Sequence, residues 1–354
     1  MVGSVVPGCV LRGRYRVLDL VGAGGGGAVY RAEDLRLPGR ITALKEIRPD
    51  PHDTPELRAE AQEQFRREAN TLARLDHPVL PKVSDYFVEN GADFLVMDFV
   101  PGPDLRQVVD EARSAGDSLG EAEVIDWAFQ ILDALDYLHR QVPAVLHRDI
   151  KPANLKLVEG HRVKLVDFGL VKPLDPTDPR TLTVARGVGS LPYTPLEQYA
   201  GDTGHTDARS DLYAVGATLY HLLCGQPPAT AQERFLLPNA LVRPRRLNPD
   251  ISPRTEAAIL AAMALHPERR PDDAAALAGL LRGVGTAPVA DEVVFGVGEA
   301  WRQVLVENVG LLALVGLLVL LASLATWQSE RSRDVPVTPA SPVVATRVGP
   351  AVTP

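Results

Sequence analysis

A short polar string in the middle of the chain contains the residue types that phosphoryl transfer requires. The string reads HRDIKPAN over residues 147–154, and Asp167 follows after a further strand-like run. Asp149 can accept the proton of an attacking hydroxyl group, and Lys151 can balance the charge on a transferring phosphoryl group. Asn154 and Asp167 offer the oxygen ligands that Mg²⁺ prefers. The ordered string therefore predicts metal-assisted phosphoryl transfer rather than a polar loop between two core strands.

A glycine-rich run near the start of the chain is a candidate site for phosphate groups. Residues 22–30 read GAGGGGAVY, in which Gly22, Gly24 and Gly27 have the spacing G-x-G-x-x-G. Glycine lets backbone N–H groups approach phosphate oxygens because no Cβ stands in the way. A flexible linker would have the same composition. A dinucleotide-binding fold would continue directly into a helix, whereas the residues from Val29 onward continue as a strand-like run.

The next strand-like run, residues 43–45, ends in a lysine that could reach the same phosphates. Without this context, Lys45 would be interpreted as an ordinary surface lysine. A partner is available in Glu68, on the polar flank of a helical stretch at 63–75 whose apolar residues share one face. An ion pair between Lys45 and Glu68 would hold the ammonium group against the α- and β-phosphates of a nucleotide.

The elements that must position these residues fall into two parts. Residues 15–100 alternate strand-like runs with turns, apart from the helical stretch at 63–75. Along residues 124–138, apolar side chains recur at steps of three or four, the spacing of an amphipathic core helix. Helical patterns then dominate from Ser210 to Leu281. The sequence therefore predicts an α+β fold with a β-rich N-terminal lobe and an α-helical C-terminal lobe.

In combination, these motifs resemble those of the eukaryotic-like (Hanks-type) serine/threonine protein kinases of bacteria, including their membrane-anchored forms. The resemblance covers about residues 15–282. It implies a bilobal protein-kinase fold with an N-lobe at about 15–97 and a C-lobe at about 101–282, preceded by a segment at 1–14. It also implies that ATP binds between the lobes with Mg²⁺ or Mn²⁺. The γ-phosphate would pass to serine and threonine hydroxyls of proteins, including this one.

Two other functions stay open for the same motifs. A pseudokinase scaffold would bind ATP without efficient phosphotransfer, although the residues expected to do the chemistry are all present. A small-molecule phosphotransferase would share the catalytic string but would lack Lys151 and the segment from Ser190 to Glu197, which is expected to form a platform for peptides. Lysine at position 151 resembles serine/threonine kinases rather than tyrosine kinases.

The resemblance also assigns roles to individual positions. The catalytic set is Asp149, Lys151, Lys45 and Glu68. The nucleotide-binding set is Val21, Gly22, Gly24, Gly27, Val29, Ala43, Lys45, Met97, Asp98, Val100, Asn154 and Asp167. Within it, Met97 is the expected gatekeeper, Asp98 begins the adenine hinge, and Asn154 and Asp167 are the metal ligands. The structural and regulatory set is Arg148, Phe168, Gly169, Thr181, Thr183, Ser190, Glu197, Asp211 and Arg270.

Some of these positions have specific expected contacts. Asp211 would brace the catalytic loop, and Arg270 would pair with Glu197 at the end of the activation segment. The sequence departs from the family pattern at residues 195–197, which read PLE instead of Ala-Pro-Glu, and at Ser190, where threonine is commoner. We expect these differences to affect loop stiffness and substrate fit rather than catalytic competence.

An arginine directly before the catalytic aspartate suggests a phosphorylation switch. In the kinases that this chain resembles, the arginine at the position of Arg148 pairs with a phosphate on the activation segment, here residues 167–197. That segment contains Thr181 and Thr183 in a polar stretch. A phosphate on either threonine would bring about −1.5 to −2 charge and acceptor oxygens for the arginine. Autophosphorylation there is expected to raise activity; plain solvent-exposed threonines are the alternative.

Charge and cysteine content exclude other classes of protein. The formal net charge of −8 argues against a nucleic-acid partner, which would require a basic face. Cys9 and Cys224 lack metal-ligand spacing. Residues 1–10 lack the basic start and apolar run of a signal peptide, so the first domain is expected to stay in the cytoplasm.

A long apolar run follows the domain. Residues 309–327 contain no charged side chain, and as a helix they would match a bilayer core of about 30 Å. We expect one transmembrane helix here, after a juxtamembrane linker at 283–308 and before a short disordered tail at 328–354; a buried core helix is the alternative. The arginines that follow the run would by themselves place the tail in the cytoplasm. Because a kinase domain needs cytosolic ATP, we expect the opposite: a single-pass protein of the cell membrane, with its tail outside.

Overall fold

The computed structural model describes residues 5–24, 27–49, 52–167, 188–199 and 206–284. Four predicted positions lie outside these residues: Phe168, Gly169, Thr181 and Thr183. The predicted transmembrane run at 309–327, most of its linker and the tail also lie outside them. Among the helices that the structure does describe, none is both long and apolar enough to cross a membrane.

The N-terminal lobe, as far as it is described, is an antiparallel six-stranded sheet with one helix. The strands are β1 (Val10–Leu11), β2 (Tyr15–Gly24), β3 (Gly27–Asp34), β4 (Ile41–Ile47), β5 (Val83–Glu89) and β6 (Ala92–Asp98). They lie in the order β1-β2-β3-β4-β6-β5. Helix α1 (Pro55–Ala73) lies between β4 and β5 in the chain and contacts β5.

The two faces of this sheet have different neighbours because side chains alternate along each strand. Tyr30 and Leu44 belong to one buried apolar cluster, whereas Ala43 and Met97 belong to a second cluster that includes residues of helix α1. Lys45 lies two residues after Ala43 on β4 and therefore shares the second face. The alternation thus places the lysine on the side of the sheet that also meets α1.

Helix α1 begins earlier than the expected stretch at 63–75. Thr54 caps it by accepting a hydrogen bond from the Leu57 backbone N–H, and proline occupies the first helical position, where an N–H would have no helical partner. The predicted apolar face is confirmed, since its buried residues are Phe65, Ala69 and Leu72. The cap and the proline, rather than the apolar period, therefore decide where the helix starts.

The C-terminal lobe is mainly helical. Its described helices are α2 (Leu105–Ser114), α3 (Glu121–His139), α4 (Ala208–Cys224), α5 (Ala231–Leu236), α6 (Pro244–Leu247), α7 (Pro253–Ala262) and α8 (Ala274–Arg282). An antiparallel pair, β7 (Leu155–Val158) and β8 (Arg162–Leu165), follows the catalytic string. The predicted α+β fold with a β-rich and an α-helical lobe is confirmed.

Helix α4 forms the centre of this lobe. All residues from 210 to 223 are buried, so packing on every side stabilises it. Gly216 permits close approach of helix α7, because a Cβ at this position would lie 2.8 Å from the Ala262 Cβ. The helix ends at Gly225, whose φ of 69° is a left-handed conformation that glycine adopts readily. This buried helix holds Asp211 in a fixed position beneath the catalytic string.

Candidate active site

The catalytic string forms a group of hydrogen-bonded polar side chains. Lys151 Nζ lies 2.7 Å from Asp149 Oδ2 and donates to Ser190 Oγ at 2.8 Å. A 3₁₀ turn at Pro152–Asn154 folds the chain back. As a result, Asn154 Nδ2 donates to the Asp149 carbonyl oxygen at 2.7 Å and to Asp149 Oδ2 at 2.9 Å. The structure therefore places a carboxylate beside an ammonium group and a hydroxyl group, an arrangement suited to proton acceptance during phosphoryl transfer.

Asp211 braces this string, as the sequence predicts. Its carboxylate accepts hydrogen bonds from the backbone N–H groups of His147 at 2.9 Å and Arg148 at 2.8 Å, and His139 Nε2 lies 2.9 Å away. Arg148 has a φ of 66°, which is uncommon for a residue with a side chain, and the bond to Asp211 holds it there. Burial raises the pKa of Asp211, but the hydrogen bond with His139 and the interactions with His147 together outweigh burial, and the pKa lies below its ordinary value.

Lys45 and Asp167 form an ion pair that joins the two lobes. Asp167 has a φ of 61°, a second left-handed backbone conformation in this site. Burial raises the pKa of its carboxyl group, but the charge and hydrogen bond of Lys45 together with the charge of Lys151 outweigh burial and keep the pKa below its ordinary value. Asp167 is therefore ionised at neutral pH.

The predicted ion pair between Lys45 and Glu68 does not form among the described residues. Glu68 Oε1 instead accepts a hydrogen bond at 3.1 Å from Gln64 Nε2, one turn earlier on α1. Two carboxylates compete for one ammonium group, and in this conformation Asp167 holds it. The catalytic role of Glu68 stays a prediction.

Asn154 and Asp167, the predicted metal ligands, have the chemistry that a hard cation needs. The amide N–H₂ of Asn154 points to Asp149, which leaves its side-chain oxygen as an acceptor, and Asp167 is an ionised carboxylate. The Val166 N–H donates to the Asn154 carbonyl at 2.8 Å, so the two ligand segments are joined. The described residues hold no metal cluster of three or more His, Cys, Asp or Glu side chains. Two protein oxygens suit Mg²⁺, which takes further ligands from water and substrate phosphates.

The glycine-rich run lies in the hairpin between β2 and β3. Gly22 is opposite Val29, and Gly24 is opposite Gly27. A Cβ on Gly27 would overlap the backbone carbonyl oxygen of Glu46 on β4, so β3 and β4 can pair at this point only through a glycine. The described residues on either side of residues 25–26 are thus glycines, which add no side-chain bulk where phosphate groups are expected to bind.

The apolar residues predicted to meet the nucleotide are grouped on one side of the sheet. Ala43 on β4 is the register partner of Met97 on β6, and both belong to the buried cluster against which Val29 packs. Val21 is 48% exposed, and Val100 is half-buried. The structure therefore brings Val29, Ala43 and Met97 together, whereas Val21 lies at the surface.

The predicted hinge residue Asp98 is held at the end of β6. Its backbone N–H donates to the Lys82 carbonyl at 3.0 Å, and its carboxylate accepts from the Lys82 backbone N–H at 3.2 Å. Arg40 Nη2 lies 3.4 Å from the same carboxylate. These contacts fix the position at which the chain passes from one lobe to the other.

A 3₁₀ turn at Val188–Tyr193 carries Ser190 to the catalytic string and anchors it in the C-lobe. Thr194 Oγ1 donates to the Ser190 carbonyl at 3.0 Å. The Tyr193 hydroxyl oxygen lies 2.6 Å from His221 Nδ1 on α4. Burial lowers the pKa of His221 to about 4, so the imidazole is neutral and accepts a hydrogen bond from the tyrosine hydroxyl. The buried pair ties the expected peptide platform to the central helix.

Arg270 and Glu197 form the buried ion pair that the sequence predicts. Arg270 Nη1 and Nη2 lie 2.6 and 3.0 Å from the two carboxylate oxygens of Glu197. Ser210 Oγ also donates to Glu197 at 2.7 Å, and the arginine donates to the carbonyls of Ala264 and Leu265. The pair is therefore satisfied by hydrogen bonds on both sides, the condition under which a buried ion pair is tolerated. The altered neighbours of Glu197 do not prevent this contact.

Comparison with known proteins decides the family. A family model described as the protein kinase domain matches residues 15–260. The chain belongs to the protein kinase domain family. Serine/threonine-protein kinase B of Synechocystis sp. is 40% identical over 227 residues, which make up 62% of this chain and 38% of that protein. Serine/threonine-protein kinase PknB of Mycolicibacterium smegmatis is 33% identical over 294 residues, 80% of this chain and 45% of that protein.

A solved structure resembles this kinase domain along its whole length. The kinase domain of Mycobacterium tuberculosis PknI has a TM-score of 0.60 and 28% identity, and the match covers 79% of this chain and all of that one. The chain spans less than half the length of the two curated relatives above. Residues 15–260 are therefore a protein kinase domain with the bilobal kinase fold.

Arg148 of this kinase domain has an exposed side chain. Within the segments that the structure describes, it forms no ion pair. The threonines predicted to bring it a phosphate, Thr181 and Thr183, lie outside those segments, as do Phe168 and Gly169 of the triplet that begins with Asp167. The phosphorylation switch therefore stays a prediction.

Sequence reasoning missed three residues that support the kinase site. His139 touches Asp211, and Tyr193 pairs with His221. All three act through contacts between distant parts of the chain. One signal was available for His221, which interrupts the apolar run YHLLC on a helix that is buried throughout. A polar residue in such a run needs a hydrogen-bond partner, although the run does not say which one.

Proposed function

We propose that this chain is an active serine/threonine protein kinase that phosphorylates serine and threonine hydroxyls of proteins, its own included. The contact group of Asp149, Lys151, Asn154 and Ser190 is the observation that carries the proposal. When bound, ATP with Mg²⁺ or Mn²⁺ supplies the γ-phosphoryl group and the divalent charge. The remaining steps belong to side chains of this chain.

Each protein group in the site has a separate task. Asp149 accepts the proton of the substrate hydroxyl, while Lys151 balances negative charge on the transferring group. Asn154 and Asp167 are the residues that would hold the metal ion through oxygen atoms. Lys45 would meet the α- and β-phosphates of bound ATP, and Glu68 is the expected partner of its ammonium group there.

The substitution Asp149→Asn tests this proposal, because it keeps the shape of the side chain and removes the base. With labelled ATP and a generic basic protein as substrate, we expect a rate loss of about 10²–10⁴-fold. Asp133→Asn is the matched control, since Asp133 is an exposed carboxylate whose described contact is His77. Equal rates in the wild type and Asp149→Asn would refute the catalytic role. A wild-type protein that binds ATP and transfers no phosphate would be a pseudokinase.

The same proposal places the kinase at the cell membrane through residues 309–327, with the kinase domain in the cytoplasm and the tail at 328–354 outside. The uncharged apolar run and the need for cytosolic ATP support it. We expect the full chain to sediment with membranes and to require detergent, and residues 1–290 to stay soluble and active. Recovery of the full chain in the soluble fraction without detergent would rule out the anchor.

A further inference from the structure

A run of exposed apolar side chains begins at the end of helix α5. Phe235, Leu236 and Leu237 are 66, 75 and 64% exposed, and Val242 and Leu247 are exposed further along. We refer to residues 235–247 as the 235–247 strip. Apart from Pro244, every residue of the strip is exposed or half-buried. Such a concentration of large exposed apolar groups in one segment makes it a candidate interaction surface.

The backbone of the 235–247 strip is held by the C-lobe core. A capping box at Thr230 and Glu233 starts helix α5. The Tyr220 hydroxyl donates to the Val242 carbonyl at 2.9 Å, and the Arg245 N–H donates to Glu256 at 3.0 Å. The apolar side chains are thus presented outward by a backbone that the folded domain fixes at several points.

The charge of the strip is opposite to that of the whole chain. Residues 235–247 contain three arginines and no acidic residue, although the formal net charge of the protein is −8. Arg243 lies 3.3 Å from Glu256, which offsets part of its charge. The Arg245 guanidinium donates to the Ile251 carbonyl at 3.0 Å, and among the described residues neither it nor the Arg246 guanidinium forms an ion pair with a carboxylate. The strip therefore combines apolar groups with cations that no described acid neutralises.

We infer that the 235–247 strip docks the kinase domain on an anionic lipid surface. Phenylalanine and leucine side chains insert at the boundary between headgroups and acyl chains, while arginines beside them attract anionic headgroups. A second copy of this chain fits less well, because a symmetric interface would set the same arginines against each other. Charge complementarity thus favours a lipid surface.

The inference rests on the proposed membrane anchor only in one respect: the anchor would keep the strip near the lipid headgroups. The apolar run starts at residue 309, and the described domain ends at residue 284. Even a fully extended connector of this length would reach no further than about 90 Å. The anchor would therefore keep the strip at a high local concentration near the headgroups, where weak binding suffices.

Sedimentation of residues 1–290 with lipid vesicles tests the strip without the anchor. This part contains both apolar clusters, and it includes the domain that matches the isolated PknI kinase domain from end to end. We expect binding to vesicles that contain phosphatidylglycerol, little binding to pure phosphatidylcholine, and weaker binding as salt is raised. Arg245→Gln/Arg246→Gln should weaken binding about 25-fold, at about fivefold for each arginine. Phe235→Ser/Leu236→Ser should also release the domain.

Matched controls separate this surface from general charge and from folding. Arg16→Gln/Arg140→Gln removes the same charge at two exposed positions elsewhere and should leave vesicle binding unchanged. All strip variants should keep the wild-type melting temperature and the phosphotransfer rate on a soluble substrate. The phosphotransfer rate tests the kinase proposal, and the detergent dependence of the full chain tests the anchor. The kinase proposal, the anchor and the strip can therefore fail independently of one another.

Two results would overturn the inference. One is vesicle binding that does not depend on phosphatidylglycerol or that survives Arg245→Gln/Arg246→Gln. The other is a concentration-dependent dimer of residues 1–290 that Phe235→Ser/Leu236→Ser abolishes without any effect on lipid binding. That second result would assign the strip to contact between two copies of the chain.

Discussion

His221 Nδ1 lies 2.6 Å from the hydroxyl oxygen of Tyr193, and this contact joins the turn beside the catalytic string to helix α4, whose residues 210–223 are all buried. Burial lowers the pKa of His221 to about 4 and raises that of the Tyr193 hydroxyl. The pair is therefore neutral around pH 7, with the tyrosine as donor and the imidazole as acceptor.

We expect His221 to make the stability of the kinase domain depend on pH. In the unfolded chain its pKa is about 6.5, and in the folded domain it is about 4. Between these values the unfolded chain binds more protons, so the contribution is complete above pH 6.5 and is lost as the pH falls toward 4. The loss amounts to about 3 kcal/mol at full protonation.

The variant His221→Gln isolates this effect because glutamine can accept the tyrosine hydrogen bond but does not titrate. Urea unfolding of residues 1–290 between pH 4 and pH 7 should show a smaller slope of unfolding free energy against pH than the wild type. His161→Gln, at an exposed position, should keep the wild-type slope. A slope that His221→Gln leaves unchanged would contradict the assignment.

Lys45→Ala is expected to leave the domain folded and to lower phosphotransfer by about 10²–10³-fold. The ammonium group is an electrostatic stabiliser aimed at the phosphates, and here it also pairs with Asp167. Lys82→Ala is the control, because Lys82 has an exposed side chain and meets the hinge only through its backbone. Near-wild-type activity of Lys45→Ala would remove Lys45 from the site.

Glu68→Gln tests whether Lys45 changes partner during turnover. We expect a clear fall in phosphotransfer, because kinases need both the lysine–glutamate pair and the aspartate at the metal. Gln64→Ala removes the group that contacts Glu68 in this structure and should leave activity close to that of the wild type. If Glu68→Gln were as active as the wild type, Asp167 would be the functional partner of Lys45.

Arg270→Met is expected to destabilise the domain by about 3–5 kcal/mol, because it leaves the buried carboxylate of Glu197 without a counter-charge. The double variant Glu197→Gln/Arg270→Met should recover part of this loss. Arg209→Ala breaks an ion pair with the exposed Asp272 and should cost less than about 1 kcal/mol. Urea unfolding measures the unfolding free energy of all three variants. Equal losses for Arg270→Met and Arg209→Ala would show that the buried pair stabilises the domain no more than the exposed pair does.

The double variant Thr181→Ala/Thr183→Ala tests the predicted switch. Mass spectrometry of the wild type after incubation with ATP and Mg²⁺ should find phosphate on one of these threonines, and the variant should be less active than the phosphorylated wild type. Thr177→Ala is the control within the same segment and should behave like the wild type. Unchanged activity of the double variant would exclude the switch and leave the kinase proposal intact.

The resemblance to a known family supplied the buried pair of Arg270 with Glu197, whereas residue type and spacing were enough to predict the two lobes and the catalytic string. The lobes and the catalytic string can be predicted from short segments, because alternation along strands, the three-to-four spacing of helices and an ordered polar motif are all properties of short segments. The apolar face of α1 was found for the same reason. Its start was missed because Thr54 and Pro55, rather than the apolar period, set it.

Only the tertiary structure decided which partners these residues meet. Whether Lys45 faces Glu68 or Asp167 depends on how α1 and the strands pack, and neither carboxylate is favoured by its own sequence context. His139 reaches Asp211 across 72 positions of sequence, and Tyr193 reaches His221 across 28. The exposure of the 235–247 strip also could not be predicted from the sequence, because folding decides which apolar residues stay uncovered. Short-range patterns specify elements, whereas contacts between distant residues arise only when those elements pack.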